Sequence, residues 1–183
     1  MAINKVYLRS GRTLESDECL TPKYAVEPLI KHLKARGFNK IWCPFDQAHS
    51  NYVKVLGEGF NVVNSHIYDG YDFFKTNTPS GIDCIVSNPP FSKKDKILER
   101  LYELEVPFAM LLPQNSLQSI KRVGMFIENG VEYLGFDKRI CFYTNGNLEE
   151  IRFENHFASG YFCKEVLSNN LTFEKLNQRQ EPY

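Results

Sequence analysis

Residues 82–96 read IDCIVSNPPFSKKDK. An apolar run of strand-forming residues ends at Ser87, and Asn88, Pro89, Pro90 and Phe91 follow directly. Proline fixes φ at about −65° and has no N–H to donate, so a sheet ladder does not continue through two prolines. The stretch therefore predicts a buried strand that ends in a rigid loop carrying an amide and an aromatic ring.

Length and composition predict one domain. The chain has 183 residues, 43% of them hydrophobic, which is enough to bury a core and falls in the range of about 100–200 residues for one domain. We expect a single domain over residues 1–183, with an N-terminal segment at 1–16 and a fraying tail at 172–183. With 22 basic and 22 acidic residues the net charge is zero, so contact with a polyanion requires a local patch.

The cysteines and the lengths of the apolar segments indicate the cellular compartment of the protein. Cysteine is present in an odd number of copies, 5, without a CxxC pair, which is typical of free thiols in a reducing compartment and predicts no metal site. The N-terminus lacks the apolar core of a signal peptide, and no window reaches the roughly 18 apolar residues of a membrane helix. We therefore expect a cytoplasmic protein without a membrane partner.

Helix and strand signals alternate along the first two thirds of the chain. Apolar runs bounded by turn residues predict strands at 40–43, 60–63, 83–86 and 107–112, and helical spacing predicts helices at 21–37, 52–56 and 94–104. Later segments at 131–136, 139–143 and 157–163 are predicted strands, with an Asn/Gly turn at 144–147. This order predicts an α/β fold: a doubly wound, mostly parallel sheet with an antiparallel C-terminal hairpin.

Polar residues follow nearly every predicted strand. Because open α/β sheets bind ligands at the carboxyl ends of their strands, these residues are candidates for one site. They comprise Pro44, Phe45 and Asp46 after the first strand, Ser65 and His66 after the second, Asp72 in the next turn, Ser87 to Phe91 after the third, and Gln114 to Ser116 after the fourth.

The segment Ser87-Asn88-Pro89-Pro90-Phe91 resembles the catalytic (Asn/Asp/Ser)-Pro-Pro-(Tyr/Phe/Trp) motif of S-adenosylmethionine-dependent amino-methyltransferases, above all the phage Dam-like N6-adenine methyltransferases. The resemblance covers the chain from residue 17 to about 164. It implies a class I, Rossmann-like methyltransferase fold, S-adenosyl-L-methionine as the cofactor, and these five residues as the catalytic loop. It also implies methyl transfer to the exocyclic amine of adenine in a bacterial host cell.

The chemistry of such a transfer fits the motif. An exocyclic amine is a poor nucleophile because its lone pair is delocalised into the ring. The side-chain carbonyl of Asn88 and the backbone carbonyl of Pro89 would accept hydrogen bonds from the amine and draw its nitrogen towards tetrahedral geometry. Phe91 would stack on an extruded base, as base-flipping enzymes require.

Other segments resemble further elements of the same family. The sequence DECLTP at residues 17–22 resembles a segment that lines the cofactor pocket, which implies that Thr21 and Pro22 do so here. The sequence GYDF at residues 70–73 resembles an element in which an acid, here Asp72, faces the adenine amine of the cofactor while an aromatic residue, Phe73, covers the ring. Both segments could equally be capped turns. Residues 138–142 and 157–162 resemble the closing strands.

One departure from the family follows the first predicted strand. Family members carry a Gly-rich loop there, whereas residues 42–53 read WCPFDQAHSNYV and contain no glycine. The pattern resembles a branch of small phage proteins, which implies cofactor contacts from Pro44, Phe45, Asp46 and Ser50, with Asp46 on the α-amino group. His66 stands where the family often has a ribose-binding acid. The alternative is a methyltransferase-like pocket that has lost its cofactor.

Basic residues beside the predicted catalytic edge form a candidate nucleic-acid-binding rim: Lys93, Lys94, Lys121, Arg122 and Arg139. We expect a nucleic-acid partner, with DNA favoured over RNA. Two other functions stay open. One is a catalytically inactive binding protein with an anti-restriction or regulatory role, and the other is an amino-methyltransferase that acts on RNA or protein. The chain could be a monomer or a homodimer.

Overall fold

A computed structural model describes residues 19–144 and 157–177, so the predicted features at residues 1–18, 145–147 and 178–183 lie outside the described residues. The helices are α1 (Lys23–Ala35), α2 (Asn51–Gly57), α3 (Lys94–Glu103) and α4 (Ile120–Asn129). The strands are β1 (Cys19–Leu20), β2 (Lys40–Cys43), β3 (Asn61–Asn64), β4 (Cys84–Ser87), β5 (Phe108–Pro113), β6 (Glu132–Phe136), β7 (Tyr143–Thr144), β8 (Ser159–Lys164) and β9 (Leu171–Glu174).

The main sheet has seven strands in the order β3-β2-β4-β5-β8-β6-β9. Strand β8 runs antiparallel to both of its neighbours, and the other pairs are parallel. This is the class I methyltransferase arrangement, with one antiparallel strand inserted near the end of a doubly wound parallel sheet. The predicted fold class is confirmed.

Both faces of the sheet are buried, as a doubly wound sheet requires. Neighbouring residues of one strand point to opposite faces, so Ile41 packs in the core under α1 and α2 while Trp42 packs in the core under α3. In β4 and β5 every residue is buried. This explains why these strands are apolar without alternation in the sequence.

The C-terminal third differs from the prediction in its connections. Strands β6 and β8 are antiparallel neighbours, but they are not a simple hairpin, because β8 lies between β6 and β5. The strand predicted at 139–143 is wrong: only its last residue enters a strand, β7, which pairs with β1 in a separate two-stranded sheet. Residues 172–174 belong to edge strand β9 rather than to a fraying tail.

Helix α4 was not predicted from the sequence. Its residues Ile120, Val123 and Ile127 recur at helical spacing but are 98%, 38% and 80% exposed, while Met125 and Phe126 pack on the core. The segment therefore has a helical period in its sequence, but its regular apolar stripe is not the face that is buried. Within residues 19–144 and 157–177, no helix is long and apolar enough to cross a membrane.

Candidate functional site

The strand order opens a crevice between β2 and β4. From β2 the chain runs outwards to β3 and then crosses back to β4, on the other side of β2. The connections after β2 and β4 therefore leave in opposite directions, and ligands of open α/β sheets bind at such switch points. The cavity here has a volume of about 400 Å³, which is within the range of small-molecule sites.

The cavity brings together most of the residues predicted for the cofactor and part of the catalytic loop. The predicted residues in its lining are Thr21, Pro44, Phe45, Asp46, Ser50, His66, Asp72, Phe73, Asn88, Pro90 and Lys93. The lining does not include Pro22, Ser87, Pro89, Phe91 or the residues that follow β5. The loops after β2, β3 and β4 thus converge as expected, and the loop after β5 does not join them.

Asp46 is a buried carboxylic acid in the cavity wall. It is 7% exposed, and Ser87 Oγ, at the end of β4, donates a hydrogen bond to its Oδ2. Burial raises the pKa of Asp46 from 3.8 to about 6, and hydrogen bonds from Ser87 and Ser50 limit the rise. The carboxylate is therefore ionised at neutral pH in a desolvated place, where a cation bound in the cavity would stabilise it.

The loop from Pro44 to Ser50 does not need glycine for its backbone conformation. Among the described non-glycine residues only Glu105 and Glu165 have positive φ, so the loop residues all lie where L-residues are unstrained. The loop is tied by Ser50 N, which donates to Gln47 O at 2.9 Å, and by Asp46 N, which donates to the Ser65 carbonyl at 3.2 Å. What the loop lacks is only the open space that glycine leaves for a ligand.

Tyr52 is a cavity residue that sequence reasoning assigned to a helix face. It is 2% exposed on α2, and its hydroxyl lies 2.9 Å from that of Tyr161 on β8. Tyr161 donates a hydrogen bond to the Ala25 carbonyl at 3.0 Å. Burial raises the pKa of both tyrosines, so both hydroxyls keep their protons. The sequence indicates a site role for Tyr52 only through its position, two residues after Ser50, which is the N-cap of α2 and a predicted cofactor residue.

Aromatic side chains line the part of the cavity formed by the loops after β2 and β3. Phe73 is mainly a core residue: it is 4% exposed, and its ring centroid lies 4.8 Å from that of Phe45 and 5.7 Å from that of Trp42. Phe45 is half-buried, and Tyr68 and Tyr71 are 54% and 52% exposed at the cavity. These rings provide flat apolar surface that a bound planar group would cover.

Asp72 belongs both to a capped turn and to the cavity lining. Its Oδ1 accepts a hydrogen bond from Phe74 N at 3.0 Å, and its Oδ2 lies 3.6 Å from the exposed Lys75 Nζ. Gly70 ends the preceding turn with φ of 85°, a left-handed conformation that favours glycine. The turn and the functional interpretation of residues 70–73 are therefore compatible.

His66 follows β3 and forms part of the cavity wall. Its Nδ1 accepts a hydrogen bond from Tyr68 N at 3.3 Å, and the centroids of the two rings are 4.8 Å apart. The imidazole thus caps the turn that carries Tyr68, so a structural role is present whether or not the ring also meets a ligand.

The first residues of the catalytic loop connect to the cavity. Ser87 is fully buried and bonds to Asp46, while Asn88 lines the cavity with its side-chain oxygen buried. Pro90 also lines the cavity, and Pro89 is buried behind it. The amide predicted to grip the acceptor therefore lies in the same cavity as the residues predicted to bind the donor.

Phe91 lies outside the cavity lining among aromatic residues. Its ring meets Phe157 and Phe142 at steep angles, with centroid distances of 5.9 and 6.5 Å. Lys94 Nζ donates a hydrogen bond to the Phe91 carbonyl at 3.3 Å. These contacts hold the end of the loop in place.

Thr21 lines the cavity, and its side chain does not cap α1. The N-cap is Pro22, which has no side-chain cap and lies away from the cavity lining. Asn51 Nδ2 donates to the Thr21 carbonyl at 2.9 Å and so ties this segment to the start of α2. The cofactor prediction for Pro22 therefore has no support in the geometry.

Arg122 corrects the predicted basic rim. It is 7% exposed, and its guanidinium donates to the Ser116 carbonyl at 2.6 Å, the Gln118 carbonyl at 3.0 Å and Asp95 Oδ1 at 2.5 Å. A side chain engaged in this way holds the start of α4 and cannot reach a phosphate. The predicted nucleic-acid contact is wrong for this residue.

The other basic residues are dispersed. Lys93 lines the cavity, with its Nζ 6.0 Å from the centroid of the Phe74 ring. Lys121 pairs with Glu99 at 2.7 Å, and Lys94 is bound to the catalytic loop. Arg139 is exposed. No cluster of three or more potential metal ligands occurs in the described parts of the chain.

Comparisons with known proteins add the following. No protein-family model matches the sequence, and no curated protein matches it in sequence. A proposed RNA methyltransferase from Pyrococcus horikoshii is similar in structure, with a TM-score of 0.49, 13% identity, and coverage of 89% of this chain and 97% of that chain.

A branched-chain polyamine synthase mutein from Thermus thermophilus, solved with N4-aminopropylspermidine and 5′-methylthioadenosine, has a TM-score of 0.47 and 12% identity. The match covers 92% of this chain and 64% of that chain. The fold is therefore assigned from the strand order of the sheet, and the site is assigned from the cavity.

Proposed function

We propose that this protein is an S-adenosylmethionine-dependent methyltransferase that modifies the exocyclic amine of adenine in nucleic acid, with DNA as the preferred acceptor. One observation carries the proposal: the cavity at the switch point is lined both by Asp46 and the aromatic residues near it and by Asn88 of the catalytic loop. Donor and acceptor groups would thus meet at the carboxyl end of β4.

The cavity suits the donor in size and chemistry. Its volume of about 400 Å³ is adequate for a nucleoside with an amino-acid chain. Phe45 and Tyr71 offer aromatic surface for the adenine, and the buried Asp46 offers a negative charge for the ammonium group. When bound, the donor would supply a methyl group on a positively charged sulfur. Pro44, Phe45, Asp46 and Ser50 of the glycine-free loop line this cavity, which supports a protein that can bind the donor.

The catalytic loop would act by orientation. The side-chain carbonyl of Asn88 and the backbone carbonyl of Pro89 would accept the two amine hydrogens and turn the nitrogen lone pair towards the donor. The donor would supply the methyl group and keep the electron pair of the broken bond on its sulfur, and the nitrogen would lose its extra proton to solvent. Positioning of two substrates without a covalent intermediate is an effective source of acceleration.

The acceptor is assigned from the catalytic loop and not from the basic residues. Adenine in DNA is inferred from the resemblance of the Asn-Pro-Pro-Phe loop, and the dispersed basic residues give no continuous phosphate track. Lys93, which lines the cavity, and the exposed Arg139 are the remaining candidates for phosphate contacts. Mixed-sequence duplex DNA, single-stranded DNA and RNA should therefore be compared as acceptors in one assay.

Two measurements test the proposal. Calorimetric titration with S-adenosylmethionine should give saturable heat, whereas no heat and no thermal shift at millimolar concentrations would favour the inactive binding protein instead. Methyl transfer from labelled donor should disappear in Asn88→Ala. The matched control is Asn115→Ala, an exposed amide that does not line the cavity and should keep activity. Activity that survives in Asn88→Ala would refute the assigned role of the amide.

A further inference from the structure

The direction of the hydrogen bonds around Tyr52 is fixed by an atom outside the cavity. The Ala25 carbonyl can only accept, so Tyr161 must be the donor in the 3.0 Å contact between them. A hydroxyl has one proton, and Tyr161 has thereby used its own. In the 2.9 Å contact between the two hydroxyls, Tyr52 must therefore donate to Tyr161. The Tyr52 oxygen is left with lone pairs and no proton to offer.

This oxygen lies close to the Asp46 carboxylate, which only accepts, and to the Thr21 hydroxyl, whose hydrogen bond lowers the pKa of Tyr52. Asp46 and Tyr52 line the same cavity, and the charge of Asp46 is one of the smaller causes that raise the pKa of Tyr52, after burial. Thr21 Oγ1 is buried beside the same hydroxyl and has no hydrogen-bond partner of normal geometry within the described residues. All three side chains line the cavity. A carboxylate and a phenol that can only accept favour a ligand group with several protons and a positive charge.

We propose that Tyr52 is a specificity residue, held as an acceptor by Tyr161, and that with Asp46 it forms a subsite for a primary ammonium group. The inference rests on the proposed function and deepens it, since it names which part of the methyl donor is recognised. The donor is selected by its α-ammonium group, and its carboxylate contributes little. Tyr161 is a positioning residue, because it lies outside the cavity lining and acts through Tyr52.

Three product-like probes separate the groups of the ligand. S-Adenosylhomocysteine carries both ammonium and carboxylate, its decarboxylated form keeps only the ammonium, and 5′-methylthioadenosine has neither. By calorimetry the first two should bind the wild-type protein within about threefold of each other. The third should bind at least about tenfold more weakly, since a hydrogen bond to a charged group is worth about a factor of ten or more.

Two conservative variants test the tyrosine pair. Tyr52→Phe should weaken S-adenosylhomocysteine about tenfold and leave 5′-methylthioadenosine unchanged. Tyr161→Phe should weaken S-adenosylhomocysteine by about threefold to tenfold, because Tyr52 is then free to rotate and present its proton. A structural effect on the cavity would weaken both ligands alike. The difference between the two ligands is thus the readout that a packing role cannot produce.

Several outcomes would overturn the inference. Equal affinity for S-adenosylhomocysteine and 5′-methylthioadenosine would exclude an ammonium subsite, and a decarboxylated probe as weak as 5′-methylthioadenosine would show that the carboxylate is the anchor. If Tyr52→Phe lowers the affinity for both ligands equally, Tyr52 has only a packing role. In these cases the nucleoside still binds and the proposed function stands. If none of the three probes binds, both the inference and the proposed function fail.

Discussion

Replacing Asp46 by asparagine should make the protein more stable at neutral pH while it weakens the site. Asp46 is 7% exposed, and its pKa is raised from 3.8 to about 6 chiefly by burial. A shift of this size corresponds to about 3 kcal/mol between the protonated and ionised forms. Asparagine has the same shape, can accept the hydrogen bond from Ser87 and never ionises. The variant therefore avoids the desolvation of a charge.

The sign of the pH dependence follows from the direction of the shift. A carboxyl whose folded pKa is raised stabilises the fold while it is protonated, and this stability is lost as the pH rises from 3.8 through about 6. Wild-type and Asp46→Asn proteins should therefore have similar unfolding free energies near pH 4. The advantage of Asp46→Asn should grow by about 2–3 kcal/mol by pH 7.5 and then level off.

Urea unfolding at a series of pH values measures this difference. Asp83→Asn is a matched control of opposite sign, because the backbone N–H groups of Lys40 and Asn39 lower the pKa of Asp83. The stability from Asp83 is present above pH 3.8 and is lost as the pH falls, so Asp83→Asn should be the less stable protein at neutral pH. If Asp46→Asn has no advantage at pH 7.5, or an advantage independent of pH, the proposed cost of the buried charge is refuted.

Further predictions concern packing and are all read by urea unfolding. Arg122→Ala should lower the free energy of unfolding by at least about 2 kcal/mol, because buried backbone carbonyls lose a charged donor. Lys121→Ala on the same helix should change it by no more than about 0.5 kcal/mol. Equal effects would contradict the structural role of Arg122. Gly160→Ala should destabilise by about 1–3 kcal/mol, since its Cβ would lie 2.7 Å from the Leu134 carbonyl oxygen. Gly124→Ala in α4 should instead stabilise by about 0.5–1 kcal/mol, because nothing lies within 4 Å of the new methyl group. A loss of stability would contradict the open space beside Gly124.

The parts of the fold that could be predicted from the sequence are those in which burial determines the residue types of one continuous segment. Strand β4 is apolar up to Ser87 because both of its faces are covered, and two prolines follow shortly after its end, so both the strand and the catalytic loop could be recognised. Strand β9 has no continuous apolar run: Leu171 and Phe173 are 59% and 67% exposed at the sheet edge, and their neighbours are polar. Its position is decided by pairing with β6, which is a tertiary property.

The candidate site was predicted as a set of residues but not as a set of contacts. Asp46 was assigned to the cofactor and Ser87 to the catalytic loop, 41 residues apart, and their hydrogen bond arises only because β2 and β4 are neighbours. Arg122 shows the opposite error. In sequence it resembles a surface cation, and only the position of α4 over the loop after β5 makes it a buried donor.

The contact between Asp46 and Ser87 has a consequence for how the two halves of the site act together. Ser87 is the last residue of β4, paired with Met110 of β5, and the next residue is Asn88. The carboxylate that would hold the donor's ammonium group is therefore one hydrogen bond and one peptide unit away from the amide that would hold the acceptor. A ligand cation that stabilises the ionised Asp46 keeps it accepting from Ser87, and this fixes the end of β4 from which Asn88 projects. Since methyl transfer depends on the alignment of the two substrates, an acidic residue at this position can take over part of the work that a glycine-rich loop performs by close approach alone.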